Sequence, residues 1–194
     1  MKTSTTWRDS PTANWRELLL TAVMRIGQAL QVDRVPLASR LLRPAGTKYP
    51  FTDYFKDFEK VEAVRQIFGD QTEAILRNLR VVFTRLPGYM WIDAEDGSLV
   101  VSSRYLNSGS RTDIYLDLIH ELVHVRQFME GKQLFDAEFD YADRPTEIEA
   151  YQHAVDEARR LGLNDEQICE YLKTEWMSHE ELRKLARTLN VRCP

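Results

Sequence analysis

Two histidines four residues apart, His120 and His124, enclose a glutamate that directly follows the first, in the stretch Asp117-Leu-Ile-His120-Glu121-Leu-Val-His124-Val-Arg-Gln127. On a helix, residues four apart leave the same face about one turn apart, so both imidazoles can grip one metal ion. Glu121 lies about 100° round from His120, within reach of a water on that ion without being a ligand itself. The spacing points to water activated by a metal, with Glu121 as general base.

Such chemistry is the province of zinc, which in catalytic sites takes three protein ligands and leaves a fourth position for water. His120 and His124 are two. The next helical pattern offers Glu147-Ile-Glu149-Ala-Tyr151, where a carboxylate on a helix returning antiparallel would complete a tetrahedron. Donors able to steady a developing oxyanion are, by residue type, His179, Tyr141, Arg144, Tyr151 and Tyr105. His153 reads as a surface or supporting residue, His179 as exposed beside a serine cap, and Gln127 as facing the cleft or closing its wall. The acidic run from Asp136 to Asp143 partly has calcium-loop spacing, but Tyr141 stands where the sharp turn needs glycine.

The elements that must position these residues are readable in outline. A loose tail over 1–13 precedes an amphipathic helix over 15–31, capped at Asn14 and carrying Leu18, Ala22, Ile26 and Leu30. A short helix over 36–42 and a loop over 44–54 follow, the loop pinned by Phe51, Tyr54, Phe55 and Phe58. Helices are expected over 57–68, stopped by Gly69, and from a cap at Asp70 to Asn78. The β-prone runs 80–84, 89–92 and 98–103, punctuated by Pro87-Gly88 and the turn 93–97, predict a small antiparallel sheet just before the motif. A loop over 104–111 leads to a cap at Thr112 or Asp113, and Gly131 ends the motif helix. Further helices are expected over 145–161, from a cap at Asn164 to about Trp176, and from a Ser178/Glu181 capping box to Asn190. The expected fold class is α+β, one compact domain of four parts: the tail 1–13, a helical region 14–78, a metal-binding core 79–162 and C-terminal helices 163–194.

The chain of 194 residues is 43% hydrophobic and 29% charged, ordinary values for a globular protein. Its net charge of −4 is uneven: residues 1–111 carry 16 basic and 12 acidic side chains, a net +4, and residues 112–194 carry 10 and 18, a net −8. An acidic site-bearing half argues against nucleic acid as a partner. The run Leu18–Met24 meets Arg25 after seven residues, too short to cross a membrane, and Met1–Asn14 lacks the apolar core of a secretory signal. Cys169 and Cys193 make no disulfide framework, so a reducing, cytoplasmic setting is the default expectation.

His120-Glu-Leu-Val-His124 followed by Glu147-x-Glu149-Ala resembles the gluzincin branch of the zincin metallopeptidases. The order of sheet, motif helix and glutamate helix over residues 79–161 is similar to minigluzincins and ImmA/IrrE-type domains. The resemblance implies a zincin-like fold, Zn2+ held by His120, His124 and Glu147 (Glu149 second in line), Glu121 as base, and a peptide or protein substrate. It also implies that the last strand before the motif helix, Leu99–Ser103, lines the cleft and pairs with extended peptide. Where such families place Asp or Asn four residues after the ligand, this chain has Tyr151. Some relatives of this type act on or bind transcription regulators, which leaves a second expectation: a zinc-binding regulatory module with a protein partner and little hydrolytic activity. A third is a latent or delivered enzyme whose cleft is covered by residues 1–56 or by the C-terminal helices.

Overall fold

The computed structural model describes residues 46–194; the expected tail 1–13 and the helices expected over 15–31 and 36–42 lie outside the described residues. The described chain forms four strands and eight helices. They are β1 (Lys48–Pro50), α1 (Phe51–Tyr54), α2 (Glu62–Phe68), α3 (Thr72–Asn78), β2 (Arg80–Thr84), β3 (Met90–Ile92), β4 (Leu99–Ser102), α4 (Ser103–Ser108), α5 (Arg111–Met129), α6 (Pro145–Arg160), α7 (Asp165–Leu172) and α8 (His179–Thr188).

The α+β class holds, but the sheet is mixed rather than antiparallel. Its order is β1-β2-β4-β3, with β2 and β4 parallel and the outer pairs antiparallel. The sequence expectation failed because it joined neighbouring runs in chain order. Instead the chain leaves β2, places β3 at the far edge and returns to insert β4 between them. β4 takes the middle because Leu99, Val100 and Val101 are apolar and all four of its residues are buried, as a strand covered on both faces requires. β1 falls in a stretch expected to be loop. Pro50 closes this edge strand, where a missing N–H costs no ladder bond.

Several helix ends follow local chemistry. Gly69 stops α2 at φ 58°, as expected. Asn164 with Gln167, and Ser178 with Glu181, form reciprocal capping boxes. The caps around the motif helix differ from expectation: Ser102 caps α4 and Ser110 caps α5 by accepting from the Asp113 N–H, so part of the expected 104–111 loop is helical. α7 ends at Leu172, short of Trp176. Cys169 and Cys193, read from sequence as making no disulfide framework, are joined by a disulfide that ties α7 to the C-terminal residues.

α5 is the axis of the fold. Ile114, Leu118, Ile119 and Leu122 are buried as expected, but so are Tyr115, Leu116, Val123 and Val125, so the helix is buried nearly all round. It packs on α2, β3 and α6. Pairings Tyr115 with Glu157 and Gln127 with Thr146 show that α6 returns antiparallel along it. The far end of the pair is locked by a buried clamp in which the Tyr115 hydroxyl donates to Glu157 Oε1 at 2.5 Å while Arg160 holds the same carboxylate. Phe51, Phe55, Phe58 and Tyr115 stack edge-on or offset beneath α5, burying large apolar area at little cost in rotamer freedom.

Candidate metal centre

His120 and His124 sit in the middle of α5, where every backbone group is already paired, and Glu147 sits in the first turn of α6, started by Pro145 at its first position. The antiparallel packing of α5 and α6 therefore brings the three side chains together. All three are buried, with 5–6% exposure. The two Nε2 atoms stand 3.0 Å apart, and Glu147 Oε2 lies 3.4 Å from His120 Nε2 and 3.6 Å from His124 Nε2. Among the described residues this is the one group of three or more His, Cys, Asp or Glu donors gathered tightly enough to share an ion.

The residues fit a tetrahedral cation. Zinc bonds of about 2.0–2.1 Å would set ligand atoms about 3.3 Å apart, close to the three separations found. Glu147 Oε2 is buried without a hydrogen-bond partner, and so is Glu121 Oε2 beside it, an expensive arrangement for two carboxylates unless something cationic is there to receive them. In the absence of a cation the set shares protons. Burial disfavours a charge on Glu147, yet its contacts with His120 and His124 hold it well below the usual carboxylate range. Burial likewise opposes a proton on His124, but Glu147, Glu121 and Gln127 outweigh it and raise the imidazole to about 9. Burial, with His124 adding, pulls His120 down despite Glu147. A bound cation would take over the role of the proton held by His124.

Glu121 projects beside this group and is buried to 7% exposure. Burial pushes its carboxyl up to about 8, with Glu147 and Asp117 adding and His124 opposing. A carboxyl so placed is poised to hold a proton or to take one from a neighbouring water.

The two candidate third ligands separate. Glu149 points away from the imidazoles, half-exposed, and accepts from Arg126 at 2.6 Å, Gln127 at 2.7 Å and Lys132 at 3.1 Å. Of the oxyanion candidates, Tyr141 and Tyr151 line the cleft, with hydroxyls 2.9 Å apart and the Tyr151 ring against His120 at 4.4 Å. Tyr105 lines it too, but its hydroxyl is engaged in donating to Asp117 at 2.6 Å. Arg144 reaches to 3.9 Å from Glu147 and donates to the Asp136 carbonyl. His179 is exposed at the start of α8, away from the cleft, and His153 is half-buried on α6.

A cavity of about 600 Å³ opens on one side of His120 and Glu121, and a second of about 180 Å³ holds His120, Glu121, His124 and Glu147; Met90, Tyr141 and Trp176 line both. The strand beside them is β3, not β4. β4 is paired on both sides, so the expectation that Leu99–Ser103 edges the cleft is corrected. The Ser102 N–H donates to the Tyr89 carbonyl and the Asp93 N–H to the Ser98 carbonyl, so odd-numbered residues face β4 while Met90 and Ile92 turn their backbone groups outward. Sequence reasoning also missed Trp176, expected to end a helix, which lies instead in the α7–α8 link over the cleft.

Among the described residues no helix is long and apolar enough to cross a membrane. No family model, curated protein or solved structure matches this chain.

Proposed function

We propose that the protein is a zinc-dependent peptidase of the zincin type, in which His120, His124 and Glu147 hold the metal and Glu121 is the general base. The observation that carries this reading is the convergence of three buried donor atoms beside an unpartnered buried carboxylate, open to a cleft. A zinc ion bound there would supply a water of lowered pKa and a Lewis acid for a carbonyl oxygen.

The chain's own residues supply the rest. Glu121 takes the proton from the attacking water and delivers it to the departing amine, a two-way role suited to a carboxyl poised near neutrality. The outward backbone groups of Met90 and Ile92 offer an extended peptide a strand to pair with, since among the described residues no strand occupies that edge. Such pairing would lay the peptide across His120 and Glu121. Tyr141 and Tyr151, whose hydroxyls burial keeps protonated, are placed to donate to a developing oxyanion.

The test combines elemental analysis with hydrolysis of a peptide library. Wild type should carry one zinc per chain and cut. Glu121→Gln should keep the zinc and lose cleavage by at least a hundredfold, and Glu147→Ala should lose the zinc. Zinc-loaded wild type that cleaves nothing in a broad library defeats the peptidase reading, and a chain that takes up no metal defeats the site itself.

A further inference from the structure

We propose that Gln127 is the positioning residue of this centre, fixing at once the tautomer of His124 and the placement of Glu147, with the Thr146 carbonyl and Glu149 together dictating which way round the Gln127 amide stands. The proposal rests on reading His120, His124 and Glu147 as a metal site.

Gln127 lies one turn beyond the second histidine and is completely buried. Its amide nitrogen donates to the Thr146 carbonyl at 3.0 Å and to Glu149 Oε2 at 2.7 Å. Neither acceptor has a proton to give, so a reversed amide would set Gln127 Oε1 against two acceptor oxygens. Oε1 is thereby committed to His124 Nδ1, 2.7 Å away, from which it accepts. Nδ1 must carry the hydrogen, and Nε2 then offers its lone pair to the point shared with His120 and Glu147. Thr146, held by the same amide, is the residue before Glu147. One side chain on α5 thus orients one donor and fixes the start of the helix that presents another.

Glu149 completes the device. Its carboxylate pairs with Arg126 at 2.6 Å and with Lys132 at 3.1 Å. An amide at 149 would remove one of the two constraints, because it could present its own N–H₂ and leave the Thr146 carbonyl alone to hold the Gln127 amide. A Gln127 turned over would donate to His124 Nδ1 and favour the tautomer that carries its hydrogen on Nε2, where a cation must bind.

The experiment uses the full chain and measures apparent Zn2+ affinity against a chromophoric chelator, with the visible spectrum of the Co2+-loaded protein as a second readout. Gln127→Leu should weaken zinc by about ten- to a hundredfold, and Glu149→Gln should weaken it in the same direction and alter the cobalt spectrum. Wild-type affinity in both single variants overturns the proposal and would leave Gln127 a packing residue. Because Glu149 is partly exposed, its variant tests the idea even if Gln127→Leu does not fold. Failure of wild type to bind either ion would instead sink the metal reading beneath it.

Discussion

Replacing Asp117 by asparagine should flatten a pH dependence of stability that the wild-type chain carries across neutrality. Asp117 lies one turn before His120 on the cleft wall, accepting from the Tyr105 hydroxyl at 2.6 Å, with the Tyr171 hydroxyl close by. Burial is the largest influence and pushes its carboxyl up to about 7 from an ordinary 3.8; the two hydroxyls oppose this and Asp113 adds to it. The folded pKa is thus raised above the unfolded one, so native proton uptake stabilises the fold fully below about pH 3.8 and this support is lost as pH rises through about 7. At about 1.4 kcal/mol per unit, the window spans about 4 kcal/mol, most of which falls between pH 5 and pH 8. Asparagine keeps an acceptor for the tyrosines and never ionises. Urea unfolding with a chelator present, at half-unit steps over this range, should show wild type losing about 2–3 kcal/mol relative to Asp117→Asn. Glu121 titrates nearby in both proteins, and because Asp117 is the smallest of the influences on it, its contribution largely cancels. A difference between the two that stays constant from pH 5 to pH 8 would refute the argument.

Other perturbations have equally definite outcomes. Tyr115→Phe removes one donor from the buried Glu157 carboxylate while Arg160 stays in place; it should cost about 1–2 kcal/mol in denaturant unfolding, and a neutral result would mean the clamp does not hold α5 to α6. Gly97→Ala combines a φ of 72° with a Cβ 2.6 Å from the Phe128 ring, so the thermal midpoint should fall by the equivalent of about 1–3 kcal/mol; an unchanged midpoint contradicts it. Cys169→Ser opens a link spanning 24 residues and should cost about 3 kcal/mol, a loss that reducing agent must reproduce in wild type and leave unaltered in the variant. Chelator should lower the melting temperature of zinc-loaded wild type but not of Glu147→Ala.

The site was more legible than the sheet, and the reason is range. His120, Glu121 and His124 lie within two helical turns, so a 3.6-residue period alone sets their relation, and Pro145 marks the start of the helix that brings Glu147. The capping residues Asn164 and Ser178 are local in the same sense. Strand order is not. Nothing in Arg80–Thr84 or Leu99–Ser102 states that these two lie side by side and parallel; that depends on which run can be buried on both faces. For the same reason the edge beside the cleft was assigned to β4 instead of β3. The choice between Glu147 and Glu149 turned on two residues of helical phase, about 200° apart, and only the packing of α6 on α5 decides which one faces the imidazoles. Gln127 gave no signal of its role, since its meaning comes from Thr146 and Glu149, some twenty positions away. The cysteine pairing likewise depends on the path of the last residues back to α7.

That pairing has a topological consequence. The bond from Cys169 to Cys193 turns the segment between them into a closed ring threaded through α8 and through the exposed link that carries Trp176 over the cleft. A backbone cut anywhere inside the ring leaves a single covalent molecule, with the upstream piece held by the chain and the downstream piece by sulfur. This exposed stretch of the cleft wall is therefore a part that a protease can nick without its being shed.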